Sequence, residues 1–296
     1  MTGSSRTSEP FLARITRRLG WAVRDAWPDR AVVREVQGVR MTLPWSHRLP
    51  DYARVMPAYG QNLVRLAELL AAGDEPLTVL DVGANVGDST LQILAATDAT
   101  VLCVEADAYF LNYLHRNVDG DPRVTVQESL LTAGASDVPM APVRVGGTTR
   151  FEPGTSDLTA SSVSTDQLRV DHPAFESLRL AKSDTDGYDV ELIPAIARTW
   201  ADSTPVLFFE YDHKLSRLAG NDPLAVWAEL AELGYEAVAV WDNYGRPVGH
   251  FAIADVGTGA AVLDEPVDGR AQVYWDVAVV HGKDAAGLAA IQSLTR

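Results

Sequence analysis

The stretch Leu77-Thr-Val-Leu-Asp-Val-Gly-Ala-Asn-Val-Gly-Asp-Ser-Thr90 decides the fold of this chain. Leu77 to Val82 is apolar and β-branched apart from Thr78 and Asp81, and it leaves no room for a helical turn. It reads as a strand buried on both faces, as in a parallel sheet. Gly83 and Gly87 then permit a tight turn and a close approach of backbone to a ligand. A helix expected near Asp88 or Ser89 points its free N–H groups back at the same spot. Strand, glycine turn and helix make a ligand-binding corner.

The ligand class follows from what the corner lacks. A dinucleotide fingerprint needs Gly-x-Gly-x-x-Gly, whose middle glycine lets pyrophosphate lie on the backbone. Here Asn85 stands between Gly83 and Gly87, and no Gly-Lys-Ser/Thr of a P-loop follows. Asp81 at the strand tip repels phosphate and suits a ligand with a positive amino or sulfonium group. The corner favours S-adenosylmethionine over NAD or ATP.

Working outward, Thr100 to Glu105 reads as a second buried strand that ends in a carboxylate. Glu105 lies 24 residues after Asp81, about where a βαβ unit places an acid on ribose hydroxyls. Helix 107–117 and strand 124–127 follow, and Glu128 and Ser129 stand where an adenine edge could be read. Residues 133–160, rich in Gly, Pro, Ser, Thr and Ala, form an excursion with a hairpin that faces substrate. Ser164 caps a helix start. A strand ending at Lys182 or Ser183 leads into Asp184, Asp186 and Gly187. Val206 to Glu210 is a further buried strand, followed by Asp212 and His213. In a parallel sheet the C-terminal strand ends open into one crevice, so Asp81, Glu105, Asp184 and Glu210 are expected on one rim. Tyr235–Trp241 and Pro247–Ile253 flank a hairpin turn, and Val273–Val280 is the last strand.

The start of the chain is different. Residues 1–10 read as disordered, and Phe11, Leu12, Ile15, Leu19, Val23 and Trp27 mark an amphipathic helix interleaved with Arg14, Arg17, Arg18 and Arg24. It reads as laid over the main domain; a lid, a homodimer contact and a peripheral membrane helix are the other readings. Residues 31–43 suggest a β-hairpin around Gly38. A proline-rich loop with His47, Tyr52, Arg54 and Tyr59 then packs towards the site, where His47 and Tyr59 could touch cofactor or substrate. The expected division is an N-terminal extension over residues 1–72 and a cofactor-binding domain over residues 73–296.

The 296 residues are 47% hydrophobic with a formal net charge of −15. That balance disfavours nucleic acid and anionic membrane as partners. No apolar run reaches membrane-spanning length, and the single cysteine, Cys103, lies in an apolar strand and fits a reducing cytoplasm.

Taken in order, Asp81-Val-Gly-Ala-Asn-Val-Gly-Asp88, Val104-Glu105-Ala-Asp107, Lys182-Ser-Asp184-Thr-Asp186-Gly187-Tyr-Asp189 and Phe209-Glu210 resemble the FkbM family of S-adenosylmethionine-dependent methyltransferases, from about His47 to Val280. Asp186 stands where that family's motif carries Glu. The resemblance implies a class I methyltransferase fold: a Rossmann-like α/β domain with a seven-stranded, mostly parallel sheet and an antiparallel final strand. It implies O-methylation of a hydroxyl on a sugar, glycolipid or polyketide-type product. Asp81, Gly83, Asn85 and Gly87 would hold the methionine portion and Glu105 the ribose. His213, with a pKa suited to proton abstraction, is the first candidate base, and Asp184 is the alternative, with Glu210 beside them. Asp184, Asp186, Glu210 and Asp212 could also form an oxygen-rich Mg²⁺ or Ca²⁺ site. A noncatalytic nucleoside-binding scaffold and an NAD(P)-dependent oxidoreductase are the competing functions.

Overall fold

The computed structural model describes residues 26–73, 76–136, 138–145, 147–154, 160–256, 262–264 and 274–296. The arginine-rich helix expected from Phe11, and the polar start before it, lie outside the described residues apart from their last turn.

An antiparallel hairpin opens the described chain, β1 (Ala31–Val36) with β2 (Val39–Pro44), followed by α1 (Leu49–Val55) and α2 (Gln61–Ala71). The doubly wound part then runs β3 (Thr78–Val82), α3 (Asp88–Ala96), β4 (Thr100–Glu105), α4 (Ala108–Val118) and β5 (Val124–Glu128). An excursion follows: β6 (Leu130–Thr132), the hairpin β7 (Met140–Val145) with β8 (Thr148–Pro153), β9 (Ser162–Ser164) and α5 (Thr165–Asp171). The chain returns through β10 (Leu180–Ser183), α6 (Asp189–Thr199), β11 (Val206–Tyr211), α7 (His213–Leu218), α8 (Ala225–Glu232), β12 (Tyr235–Asp242), β13 (Pro247–Ala252), β14 (Trp275–His281) and α9 (Ala285–Leu294).

The main sheet has the order β13-β12-β14-β11-β10-β3-β4-β5. Strands β3, β4, β5, β10 and β11 run parallel, and β14 is antiparallel to both β11 and β12. This is the class I methyltransferase arrangement expected above. It is enlarged to eight strands, because β13 folds back through the Asn243–Arg246 turn and pairs with β12. The turn is held down by Gly245: at φ +77°, a Cβ there would lie 2.0 Å from the Ala58 carbonyl oxygen.

Alternation along the strands distributes the core. Leu80, Ala181, Leu207 and Phe209 pack on one face with Leu168, Val190, Ile193, Ile196 and Trp227. Val79, Leu180, Phe208 and Ala278 face the other way, against Leu63 and Leu66 of α2, Ile93 of α3 and Ile291 of α9. Because side chains alternate with period two, Asp81, Lys182, Glu210 and Asp276 point to the α2/α3 face, each two residues from an apolar one. The β1/β2 hairpin has its own small core, with Met41 and Leu43 against Val86, Phe110 and Tyr113. Among the described residues no helix is long and apolar enough to cross a membrane.

Candidate functional site

The chain reverses its direction of travel across the sheet between β3 and β10, and a crevice opens beyond the carboxyl ends of the strands at such a point. A cavity of about 820 Å³ occupies it, lined by Gly83, Asn85, Asp88 and Ser89 of the β3–α3 corner, Glu105, Ser129, and Asp184, Thr185 and Asp186 beyond β10. His47, Tyr52 and Tyr59 close one side and the β7/β8 hairpin another.

Glu105 is the best-anchored group in it. One carboxylate oxygen accepts from the Asn85 N–H at 2.8 Å, and the other accepts from Ala106 and Asp107 N–H at 2.9 and 2.7 Å. Burial raises its carboxyl above the ordinary range, against the lowering effect of those three bonds. A carboxylate held from behind by backbone presents its remaining lone pairs to the cavity, which suits vicinal hydroxyls.

Both glycines of the corner are required by packing within the protein, and Gly83 also lines the cavity. Gly83 has φ +71°, and a Cβ there would lie 2.0 Å from the Asp184 carbonyl oxygen. Gly87, at φ +83°, would bring one to 2.8 Å from Leu114 Cδ1, and it does not line the cavity. Positive φ without a Cβ at these two positions lets the β3 and β10 loops, and α3 and α4, approach closely. Asn85 itself adopts φ +53°, and its side chain donates to the Gly147 carbonyl at 3.0 Å.

Asp81 departs from the sequence expectation. It is fully buried and lies behind the cavity wall, with its Oδ1 3.0 Å from Lys182 Nζ and its Oδ2 accepting from Thr90 Oγ1 at 2.7 Å. Register explains this, since Asp81 and Lys182 are direct partners in the β3/β10 ladder. Lys182 donates on to the Gly83 carbonyl at 3.1 Å and lies 4.0 Å from Asp184. Burial opposes its charge, but the attraction of Asp81 and Asp184 raises its pKa above the ordinary lysine value. Asp81 thus shapes the turn through Lys182 and does not face the ligand space.

Of the two residues expected to read an adenine edge, Ser129 lines the cavity, but Glu128 turns outward to His115 Nε2 at 3.0 Å. The excursion is latched to α4. Asp107 caps α4 through the Tyr109 N–H and receives Arg144 and Thr149 of the hairpin at 2.5 Å. Burial opposes the Asp107 charge, yet Arg144 and Thr149 hold its carboxyl below the ordinary range. Tyr188 completes the closure by donating to the Phe151 carbonyl at 3.0 Å.

The expected base His213 is elsewhere. It is 2% exposed, does not line the cavity, and its Nε2 lies 3.0 Å from the Leu263 carbonyl while Tyr211 meets its ring edge-on at 4.9 Å. Burial lowers its pKa. The first residue of α7 turns its side chain into the core instead of the crevice. Asp212 is also committed: it caps α7, accepting from Lys214 and Leu215 N–H at 2.7 and 2.8 Å. With Asp212 so used, the four-carboxylate metal site does not assemble. Among the described residues no group of three or more His, Cys, Asp or Glu is placed to hold a metal ion.

Asp184 and Asp186 do line the main cavity. Asp186 adopts φ +52°, and burial and Asp184 raise its carboxyl to about 6. Glu210 lies in an adjoining side pocket together with Asp88, Asp184 and Asp276. Burial and the negative charge of Asp184 push Glu210 well above the ordinary value. Asp88, Asp276, Asn62 and Tyr274 were not singled out from the sequence. The available signals were Asp88 opening a helix beside Gly87 and Asp276 interrupting an otherwise apolar strand.

No family model and no curated protein matches this chain. Among solved structures it is similar in fold to the TYW2 of P. horikoshii in complex with MeSAdo, at 15% identity over 92% of this chain and 86% of that one, with a TM-score of 0.44. Precorrin-6y C5,15-methyltransferase from Geobacter metallireducens is similar at 13% identity over 74% and 86%, TM-score 0.39. A predicted O-methyltransferase, Atu636 from Agrobacterium tumefaciens, is similar at 12% identity over 75% and 81%, TM-score 0.39. Likeness at this level carries nothing about chemistry, which rests on the geometry above.

Proposed function

We propose that this protein is an S-adenosylmethionine-dependent methyltransferase of the FkbM type that methylates a hydroxyl of a small molecule, a sugar or a glycosylated or polyketide-type product. The observation that carries the reading is Glu105, fixed by three backbone N–H groups in a cavity that the Gly83–Asn85 turn also lines; a ribose held there would meet its carboxylate. Two features argue against a dinucleotide. Asn85 puts a side chain where the pyrophosphate would need bare backbone, and Asp88 occupies the first turn of α3, where a phosphate would seek the helix N-terminus.

The residues present fit the cofactor: Glu105 for the ribose, Ser129 for the base, and the Gly83–Asn85 turn with Asp184 for the methionine portion. When bound, the sulfonium supplies an electrophilic methyl group to the acceptor oxygen. The chain aligns the acceptor with that methyl and removes the hydroxyl proton. Asp184 is placed for proton removal, since its side chain is half exposed and lines both the main cavity and the side pocket.

A screen of hydroxylated acceptors with labelled S-adenosylmethionine tests this. Methyl transfer is expected to depend on the acceptor and to persist in EDTA. Asp184→Asn should lower turnover by about 10²-fold or more, as loss of a general base does, while His213→Phe should retain most of it. Full turnover in Asp184→Asn would remove the proton-abstraction role.

A further inference from the structure

The side pocket beneath the main cavity has about 80 Å³ and is lined by Asn62 and Leu63 of α2, Asp88, Asp184, Phe208, Glu210, Tyr59, Tyr274 and Asp276, among others. Its chemistry is one-sided. Strand alternation and register bring Glu210 and Asp276 together, as direct partners in the antiparallel β11/β14 ladder on the face that also carries Phe208 and Ala278. Like charges directly opposite one another on neighbouring strands are destabilising. Asp88 and Asp184 close the pocket from the β3 and β10 loops. Among the described residues the one cation on its wall is Lys182, already paired with Asp81.

A second observation points to a ligand. Asn62 is 4% exposed, and its amide nitrogen donates to Asp276 Oδ2 at 2.8 Å. Its Oδ1 has no hydrogen-bond partner among the described residues. A buried acceptor left unpaired is costly, and Asn62 stands on the wall of a pocket that also carries four carboxylates. With Lys182 lying 3.0 Å from Asp81, the four carboxylates of the pocket outnumber the positive charge beside them among the described residues. Tyr59, Phe208 and Tyr274 supply aromatic surface, which attracts cations at ring faces. Metal is the less suitable occupant, because the carboxylates do not converge as a ligand set. The volume suits an alkylammonium head of a few heavy atoms.

We propose that this pocket binds an ammonium group carried by the methyl acceptor, so that the substrate is an amine-bearing hydroxyl compound such as an amino sugar or amino alcohol. The proposal rests on the methyltransferase reading for the word acceptor, but the pocket itself does not. It is lined by Phe208 and Glu210 of β11 and Asp276 of β14, and it shares Asp88, Ser89, Lys182 and Asp184 with the main cavity, whereas the cofactor in this reading would extend towards Glu105 of β4. Asp184, which lines both spaces, then stands between a held amine and the methyl group. Burial raises Asp88 to about 6 and Asp276 to about 7. A cation entering the pocket takes the place of protons held there.

The test is calorimetric titration of the full chain with n-butylamine and n-butanol, each with and without saturating S-adenosylhomocysteine. The amine is expected to bind at least tenfold more tightly than the alcohol in both conditions. Asp276→Asn and Glu210→Gln, which preserve shape, should each weaken the amine about tenfold and leave S-adenosylhomocysteine affinity unchanged. Equal binding of amine and alcohol would overturn the proposal. So would competition between n-butylamine and S-adenosylhomocysteine, or a loss of its affinity in Asp276→Asn, because the pocket would then belong to the methionine ammonium of the cofactor. Amine binding without S-adenosylhomocysteine binding would remove the methyltransferase reading and keep the pocket.

Discussion

Lys182 sits in a strand that is otherwise buried, and its ammonium has one strong ionic partner, Asp81, at 3.0 Å. Taking two charges out of water is costly, and deleting one partner leaves the other uncompensated, typically at about 3–5 kcal/mol. Lys182→Met is therefore expected to destabilise the protein by about that amount in chemical denaturation. Lys182→Met with Asp81→Leu should recover a large part of the loss, since a buried pair replaced by apolar groups is often near neutral. A double variant no more stable than the single one would contradict the pairing. The same two residues show where sequence reading stops. Asp81 was legible as an acid near the end of a buried strand, and it stands there in β3. Its orientation was not legible, because the partner lies 101 positions away and is brought opposite only by the β3/β10 register. His213 failed for a related reason: its position after β11 was visible, but the turn of α7 that sends it towards Leu263 was not.

At the scale of elements, the corner, the β4 carboxylate and the excursion with its hairpin could all be read from pattern, because strand and turn chemistry are local. The contact that gives the excursion a role is not local. Asp107 joins α4 to Arg144 and Thr149 of the hairpin, more than 35 residues further on. Asp107→Ala removes an N-cap, worth about 0.5–2 kcal/mol, and frees the hairpin. Its expected signature is faster proteolytic cleavage within residues 138–154 and weaker S-adenosylhomocysteine binding, with the fold retained by circular dichroism. Unchanged cleavage would show that the hairpin is held by other contacts. The expected four-carboxylate metal site failed at this scale too. Asp212 follows β11 where a ligand could stand, but a residue in that position is also the N-cap of the next helix, and capping takes its carboxylate.

For the whole molecule, the parallel strands bring Asp81, Glu105, Asp184 and Glu210 to the carboxyl end of the sheet, and burial then sorts them. Glu105 and Asp184 face the main cavity, Glu210 faces the side pocket with Asp276, and Asp81 faces neither. The buried parallel strands were legible from their apolar runs, and the antiparallel last strand was what the family resemblance implied. The eighth strand was legible as the second arm of the hairpin with β12; that this hairpin extends the main sheet was not. The central claim is that this crevice holds S-adenosylmethionine by its ribose through Glu105. Calorimetric titration with S-adenosylhomocysteine and NAD, on the unsubstituted protein and on Glu105→Gln, tests it most directly. S-adenosylhomocysteine should bind, NAD should not, and Glu105→Gln should weaken the former about 10- to 100-fold, as loss of hydrogen bonds to a charged group does. NAD binding in the absence of S-adenosylhomocysteine binding, or full affinity in Glu105→Gln, would contradict it.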